Sequence, residues 1–354
     1  MSDPLAVWIR TVHASLSPGS QVCLGAHWGP VRMEHHTTRP DWYGAIDKAW
    51  AAPAVDDEGS TTAPIHIKVI SAAFDDLPAA ISPPPLRRRD LGPRGEAAIP
   101  PGSTTRLTWE EAAGQVMAWD PQSGCALLLR STPPNGYDLV SPMRWLVHWG
   151  IAAAGGILMH AASVGRPSEG SVRGALLIGE AGYGKSTTTL ACLSRGWLTC
   201  GDDAVAVMRE GESWVARAIY AAVKTKLVGS TPPPPDLPST GLNTVTWDIA
   251  GTKRVHLLTS TDGQTLCERM EIDALILLDP AADPEADRQA ATAAEARTRA
   301  TPSTLIPLPY ERETTMQRIG RIASEVPASR LPRRSSLAQT FQDVTGILND
   351  STRQ

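Results

Sequence analysis

The sequence predicts an α/β fold, α+β over the whole chain, organised around one strand–loop–helix unit. Three observations predict it. Gly179 is followed by four residues and then by Gly184-Lys185-Ser186-Thr187, the Walker A spacing of a P-loop. An apolar run, Ala175 to Ile178, precedes that stretch, and a helix-like run, Thr188 to Arg195, follows it and closes at Gly196. Further apolar runs of strand length, separated by Gly and Pro breakers and by helical patterns, recur along the rest of the chain.

The chemistry of phosphate binding accounts for each residue type in the loop. Gly179, Gly182 and Gly184 let backbone N–H groups converge on phosphate oxygens with no Cβ in the way. The helix N-terminus adds partial positive charge. Lys185 would reach the β- and γ-phosphates, the Ser186 hydroxyl would hold Mg²⁺, and Thr187 completes the nucleotide-binding set. ATP and Mg²⁺ are therefore the expected cofactors.

At 354 residues and 42% hydrophobic content, the chain is long enough for two domains with substantial cores. The reading places a smaller, mixed α/β N-terminal domain at 1–140 and the P-loop domain at 141–354. A formal charge of -4 speaks against a nucleic-acid partner. No apolar run approaches 18 residues, so no membrane span is expected. Met1 to Leu16 lacks a signal-peptide core. Five scattered cysteines without a CxxC read as reduced thiols of a cytoplasmic protein, with no metal site. An oligomer is compatible with all of this.

Taken in order, strands are expected at Ile65 to Ile70, Gln115 to Trp119 and Cys125 to Leu129. Breakers lie between them at Ala51 to Pro64 and from Pro83 through Gly102, the latter holding Arg87-Arg88-Arg89. The triplet reads as a solvated loop or as a grip for an acidic peptide or phosphate. Trp8, Trp28, Trp42, Tyr43 and Trp50 read as core, or as the lining of a groove. Ser141-Pro142 predicts the N-cap and first residue of a helix ended by Gly155-Gly156. One strand is expected from Ile157 to Val164, a turn from Arg166 to Val172, and then the P-loop strand. Strands follow at Ala204 to Met208, Ser213 to Ala218 and Ile272 to Leu278. Gly229 to Gly241, with four prolines in a row, must be a loop, either a lid or an ordered surface segment. Ala281 to Ala300 reads as helix or exposed insertion. Helices close the chain at Met316 to Glu325 and from Ser335/Ser336 onward.

A phosphate cradle alone gives binding; transfer needs a group to activate the acceptor and charge to balance the moving phosphoryl. Asp279 ends an aliphatic run as a Walker B acid would, but Pro280 after it also signals a turn. Asp202-Asp203 follow the P-loop helix at the head of the next strand. On an extended segment their side chains point to opposite sides, so one can face the nucleophile and the other a metal or supporting group. His160 can pair with an aspartate or be a satisfied core residue, and Arg254 can stabilise transferred charge or lie on the surface.

Together these residues resemble the HPr kinase/phosphorylase family and its relatives with a phosphoenolpyruvate-carboxykinase-like P-loop fold. The resemblance rests on Met159-His160-Ala161-Ala162-Ser163, Gly179 to Thr187, Ser194-Arg195-Gly196 and Gly201-Asp202-Asp203-Ala204-Val205. It covers roughly 150–210, extends weakly to about 280 and is absent before 140. It implies that Asp202 is the base taking a proton from a serine hydroxyl, with His160 as its partner. It implies a supporting role for Asp203 toward the metal or Lys185, and makes Arg254 the family's later basic residue. The long segment Gly165 to Arg173, Thr187 in place of an acidic residue, and the lack of a counterpart to the phosphorylase loop are departures that tell against HPr and against reverse phosphorolysis. The divergent N-terminal half looks more like the HPr-kinase-like proteins encoded with lasso-peptide biosynthesis, which phosphorylate the C-terminal serine of a precursor peptide.

The expectation is thus an ATP-dependent serine kinase acting on a precursor peptide, with residues 1–140 binding that peptide. A bifunctional HPr kinase/phosphorylase and a non-catalytic nucleotide-binding module are the alternatives. No Asn-Lys-x-Asp motif supports a GTPase.

Overall fold

A computed structural model describes residues 3–43, 49–51, 64–81, 84, 86, 90–93, 95–99, 102–226, 242–249, 253–258 and 265–351. Two compact units divide the chain: residues 1–47, 53–154 and 308–311 form the first, and 48–52, 155–307 and 312–354 the second.

The first unit is a mixed sheet with helices. Its elements are α1 (Pro4–Leu16), β1 (Gln21–Trp28), β2 (Val31–Thr37), α2 (Pro40–Tyr43), β3 (Ile65–Ala73), β4 (Arg106–Glu110), β5 (Gln115–Asp120), β6 (Cys125–Arg130), α3 (Gly136–Val140) and α4 (Arg144–Ala153). Strand order is β1-β2-β3-β6-β5-β4, with β2, β3 and β6 parallel and the remaining pairs antiparallel. Alternation along β3 divides its apolar residues between the two faces. Ile70 and Ala72 join Leu127 and Leu129 of β6 under Leu5, Trp8, Ile9 and Val12 of α1. Ile67 points the other way, toward Gly150 of α4, where an added Cβ would come within 2.5 Å of its Cδ1. Helix α1 has its own start signal: the Asp3 carboxylate accepts from Leu5 N–H at 2.9 Å and Pro4 occupies the first turn.

The second unit has β7 (Ile157–Met159), β8 (Ala162–Ser168), β9 (Ser171–Ile178), α5 (Lys185–Leu193), β10 (Val205–Glu210), β11 (Ser213–Arg217), β12 (Ala222–Lys226), β13 (Leu242–Ile249), β14 (Lys253–Leu258), β15 (Arg269–Asp279), β16 (Gln289–Ala291), α6 (Ala293–Leu305), α7 (Arg312–Glu325), β17 (Ala328–Pro332) and α8 (Leu337–Ser351). Its centre is β15, which pairs in parallel with β9 on one edge and with β17 on the other, and antiparallel with β11. Leu275 and Leu277 of β15 and Leu176 and Ile178 of β9 pack with Ala296 and Ala300 of α6 and Ile319 and Ile322 of α7. Ile276, Leu278 and Leu177 pack with Cys192 of α5 and Val344 and Ile347 of α8. Both faces are covered, so these strands read as continuous aliphatic runs rather than alternating ones. Strands β12, β14 and β13 form a separate three-stranded antiparallel sheet.

Several expectations need correction. Helix α4, expected to open the second domain after residue 140, belongs to the first unit, which continues to Ala154. Its N-cap is Met143 at φ 52 with no side-chain cap, so Ser141-Pro142 form the preceding turn instead. The single strand expected from Ile157 to Val164 is two, β7 and β8, interrupted at His160-Ala161. The turn expected over Arg166 to Val172 contracts to Glu169-Gly170, both at positive φ, so the two strands form a tight hairpin. Ala281 to Ala300 divides into a turn, β16 and the start of α6, which opens with a capping box between Thr292 and Glu295. Trp8, Trp28, Tyr43 and Trp50 are buried, as core packing requires. The arginine triplet and the four-proline segment lie outside the described residues. Among the described residues, no helix is long and apolar enough to cross a membrane.

Candidate active site

Strand β9 runs straight into the glycine loop, and α5 leaves it at Lys185. Gly182 (φ 93) and Gly184 (φ 102) occupy backbone conformations that side chains disfavour, and Gly184 is the N-cap of α5. At Gly179 an added Cβ would come within 3.0 Å of the Tyr183 Cβ, so the loop folds over its own first residue. The carboxyl ends of the parallel strands β9, β15 and β17 lie level here, where ligands bind in open α/β sheets.

Lys185 is 7% exposed. Its ammonium donates to Gly179 O at 2.5 Å and Glu180 O at 3.2 Å, and lies 3.2 Å from His160 Nε2. The break between β7 and β8 is what turns His160 toward the loop. Its Nδ1 lies 3.0 Å from Asp203 O and 3.3 Å from Asp203 Oδ1. Lys224 of β12 meets Asp203 Oδ2 at 2.7 Å. The result is a chain of contacts running Lys185, His160, Asp203, Lys224. The resemblance assigns His160 to Asp202; the structure sets the ring on Asp203.

Asp202 faces the opposite way, onto α5. Thr189 Oγ1 donates to its Oδ1 at 3.3 Å, Lys224 N–H to its Oδ2 at 3.3 Å, and Ser186 also donates to it. The side chain is 3% exposed. Burial pushes its carboxyl up to about 7, the neighbouring Asp203 charge adds to the rise, and the Ser186 bond and Lys185 charge oppose it. A carboxyl that titrates near neutrality can accept a proton at physiological pH. The bend carrying both acids is held from behind. Gly201 (φ 148) donates its N–H to Thr199 Oγ1, and its carbonyl accepts from Ser163 N–H.

The residues present fit Mg²⁺. The Ser186 hydroxyl and Asp202 carboxylate are adjacent hard oxygen donors, and Mg²⁺ is commonly held by one or two carboxylates plus substrate phosphates. Among the described residues no cluster of three or more His, Cys, Asp or Glu side chains forms a metal cage. Asp203, expected to assist the metal, is instead engaged by His160 and Lys224. Thr187 is exposed on the first turn of α5. Arg254 lies on β14, paired through its backbone with Thr225 and Asp248; its side chain lies outside the described residues. Asp279 caps the following turn through Ala281 N–H (3.3 Å) and pairs with Arg299 (3.3 Å), which is the turn role rather than a Walker B role.

Sequence reasoning missed three residues here. Lys224 sits in a short strand with no motif around it. Arg299, with its guanidinium 5.9 Å from the centre of the Tyr183 ring, braces the loop from α6. Arg333 follows β17, a strand too short and polar to announce itself.

No family model matches the chain, and no curated protein matches it. Among solved structures, the HPr(Ser) kinase/phosphatase from Coxiella burnetii is similar at 17% identity, over 55% of this chain and 90% of that chain, with a TM-score of 0.29. A superposition that loose transfers nothing residue by residue. What the chain's own geometry defines is a mixed α/β protein with a glycine loop, a buried lysine and two aspartates gathered at the carboxyl edge of a parallel sheet segment.

Proposed function

We propose that the second unit is an ATP- and Mg²⁺-dependent kinase that phosphorylates a serine hydroxyl of a peptide, the acceptor being the C-terminal serine of a lasso-peptide precursor. One observation carries the reading: Asp202, with a carboxyl near 7, is buried against Ser186 and Thr189 beside the loop lysine. In the reaction, Asp202 accepts the serine proton as the serine oxygen bonds to the γ-phosphorus and ADP departs with the bridging oxygen. Lys185 balances charge on the transferring group. Mg²⁺, when bound, supplies further charge neutralisation at the phosphates, and Ser186 is the hydroxyl that would hold it. His160 and Lys224 fix Asp203 at the edge of the same site. The peptide identity rests on the sequence resemblance, as does assignment of peptide binding to the first unit.

A second arrangement of the same chemistry has one observation in its favour. Ser186 donates to Asp202, so that carboxylate also suits the metal side, leaving the more exposed Asp203 to take the proton. Incubation of the protein with ATP, Mg²⁺ and candidate precursor peptides, intact and lacking the C-terminal serine, tests both by mass. A phosphate added to the intact peptide alone is the expected result. Asp202→Asn should abolish transfer while ATP still binds. Transfer abolished only in Asp203→Asn, with Asp202→Asn raising the Mg²⁺ requirement, favours the second arrangement. Phosphate on no acceptor, with ATP bound, leaves a nucleotide-binding module.

A further inference from the structure

A cavity of about 300 Å³ opens beside the loop on the flank away from the aspartates, at the small end of the range that holds small-molecule ligands. Tyr183, Thr187 and Thr188 line it from the loop and α5; Arg333, Ser336 and Thr340 line it from the segment after β17 and from α8. Helical geometry separates the two flanks. At about 100° per residue, Ser186 and Thr189 share the face turned to Asp202, and Thr187 and Thr188 fall on the opposite one. A triphosphate seated with its terminal phosphate at Lys185 and Asp202 can lead its other end across Gly184 to this cavity.

Arg333 stands at that cavity as an exposed cation whose guanidinium makes no ion pair or hydrogen bond among the described residues. Its neighbour Arg334 is spent on structure, bonding Asp343 (2.5 Å) and the carbonyl of Ala286 (2.7 Å). The backbone of Arg333 is fixed, its N–H donating to Asp279 O at 3.3 Å, so the side chain springs from a defined point level with the loop. The Tyr183 ring, backed by Arg299, supplies an aromatic wall.

We propose that this cavity seats the nucleoside end of a nucleoside triphosphate, and that Arg333 binds the phosphate nearest the ribose. The inference rests on the proposed function only in taking a nucleoside triphosphate as the ligand of the loop. Its test is equilibrium binding of ADP and of inorganic tripolyphosphate, by calorimetry, to the full chain, with melting curves confirming that each variant folds. Arg333→Ala should weaken ADP about tenfold, the loss of one charge-assisted hydrogen bond, while Arg333→Lys keeps most of the affinity. Ser335→Trp, which fills the cavity from the exposed segment after β17 and outside the loop, should weaken ADP by about tenfold or more and leave tripolyphosphate nearly unchanged. Wild-type ADP affinity in both Arg333→Ala and Ser335→Trp, with ADP lost in Lys185→Ala, overturns the cavity assignment and leaves the loop reading intact. Failure of the wild-type chain to bind either ADP or tripolyphosphate overturns both.

Discussion

The ammonium of Lys185 lies 3.2 Å from Nε2 of His160, while Nδ1 of the same ring lies 3.0 Å from the main-chain oxygen of Asp203. An ammonium has only protons to offer, so Nε2 must present its lone pair and Nδ1 must carry the ring proton toward Asp203. The ring therefore couples the loop lysine to the aspartate bend in one defined tautomer. His160→Ala should remove the ring contact from the Lys185 ammonium, leaving its bonds to Gly179 O and Glu180 O, and loosen the bend, lowering the proposed phosphoryl transfer by about tenfold or more. Nitrogen-15 NMR of the wild type should find the proton on Nδ1; a proton on Nε2 would contradict the arrangement.

The carboxyl of Asp202, pushed up to about 7, makes two pH-dependent predictions of definite sign. If it is the base, only its ionised form acts, so the proposed transfer should rise as pH passes through 7. For stability, the folded pKa lies above the ordinary 3.8, so between those values the folded state binds more protons than the unfolded one. Stability from this group is full below 3.8 and is lost as pH rises to 7, where the buried carboxylate must ionise. Asp202→Asn should therefore be more stable than wild type at pH 8, with the gap closing toward pH 5. Denaturant midpoints at the two values check it.

Asp279 was one of three acids the sequence offered for the site, and its contacts say otherwise. It holds a turn through Ala281 N–H and pairs with Arg299, itself stacked over Tyr183. Asp279→Asn keeps the turn acceptor and loses the ion pair, so it should cost about 1 kcal/mol or less of stability. Transfer should stay within about threefold of wild type. A hundredfold loss of transfer with ATP still bound would restore the Walker B role.

What could be read in advance follows from which signals are local. The loop from Gly179 to Thr187 is set by spacing and by the φ requirements of Gly182 and Gly184, both local, and the structure has the strand, loop and helix in that order. The aliphatic strand Leu275–Leu278 was legible because helices bury both of its faces. Strand β17 was not: Ala328-Ser329-Arg330-Leu331-Pro332 has little apolar character and exists because β15 offers a parallel edge beside it. Lys224 and the pairing of His160 with Asp203 were equally hidden, since both depend on which segments the sheet brings together. Helix α1 went unread although Asp3-Pro4 is a local start signal. The shortening of the β8–β9 turn depends on Glu169 accepting φ 34, which the sequence pattern does not favour.

The hairpin behind the loop gives the last prediction. Gly165 of β8 and Gly174 of β9 stand opposite each other, and Met270 of β15 lies against both. A Cβ at Gly174 would fall 2.2 Å from Val164 O and 2.6 Å from Met270 Sδ, whereas one at Gly165 would meet Arg173 O and Met270 Cε, each at 2.8 Å. The closer clash at Gly174 is with backbone, which cannot swing aside as a methionine can. Gly174→Ala should therefore destabilise by about 2–3 kcal/mol and Gly165→Ala by less, though both are overpacking changes. Because they share Met270 and the same ladder, the double variant should cost less than the sum of the two. Strand β9 carries the loop, so Gly174→Ala should also weaken nucleotide binding, while Ile9→Ala, which empties part of the first unit's core, should lower stability and leave that binding unchanged. Chemical denaturation with parallel ADP titration reads both effects, and equal costs for the two glycine variants would show that the methionine, not the backbone, sets the limit.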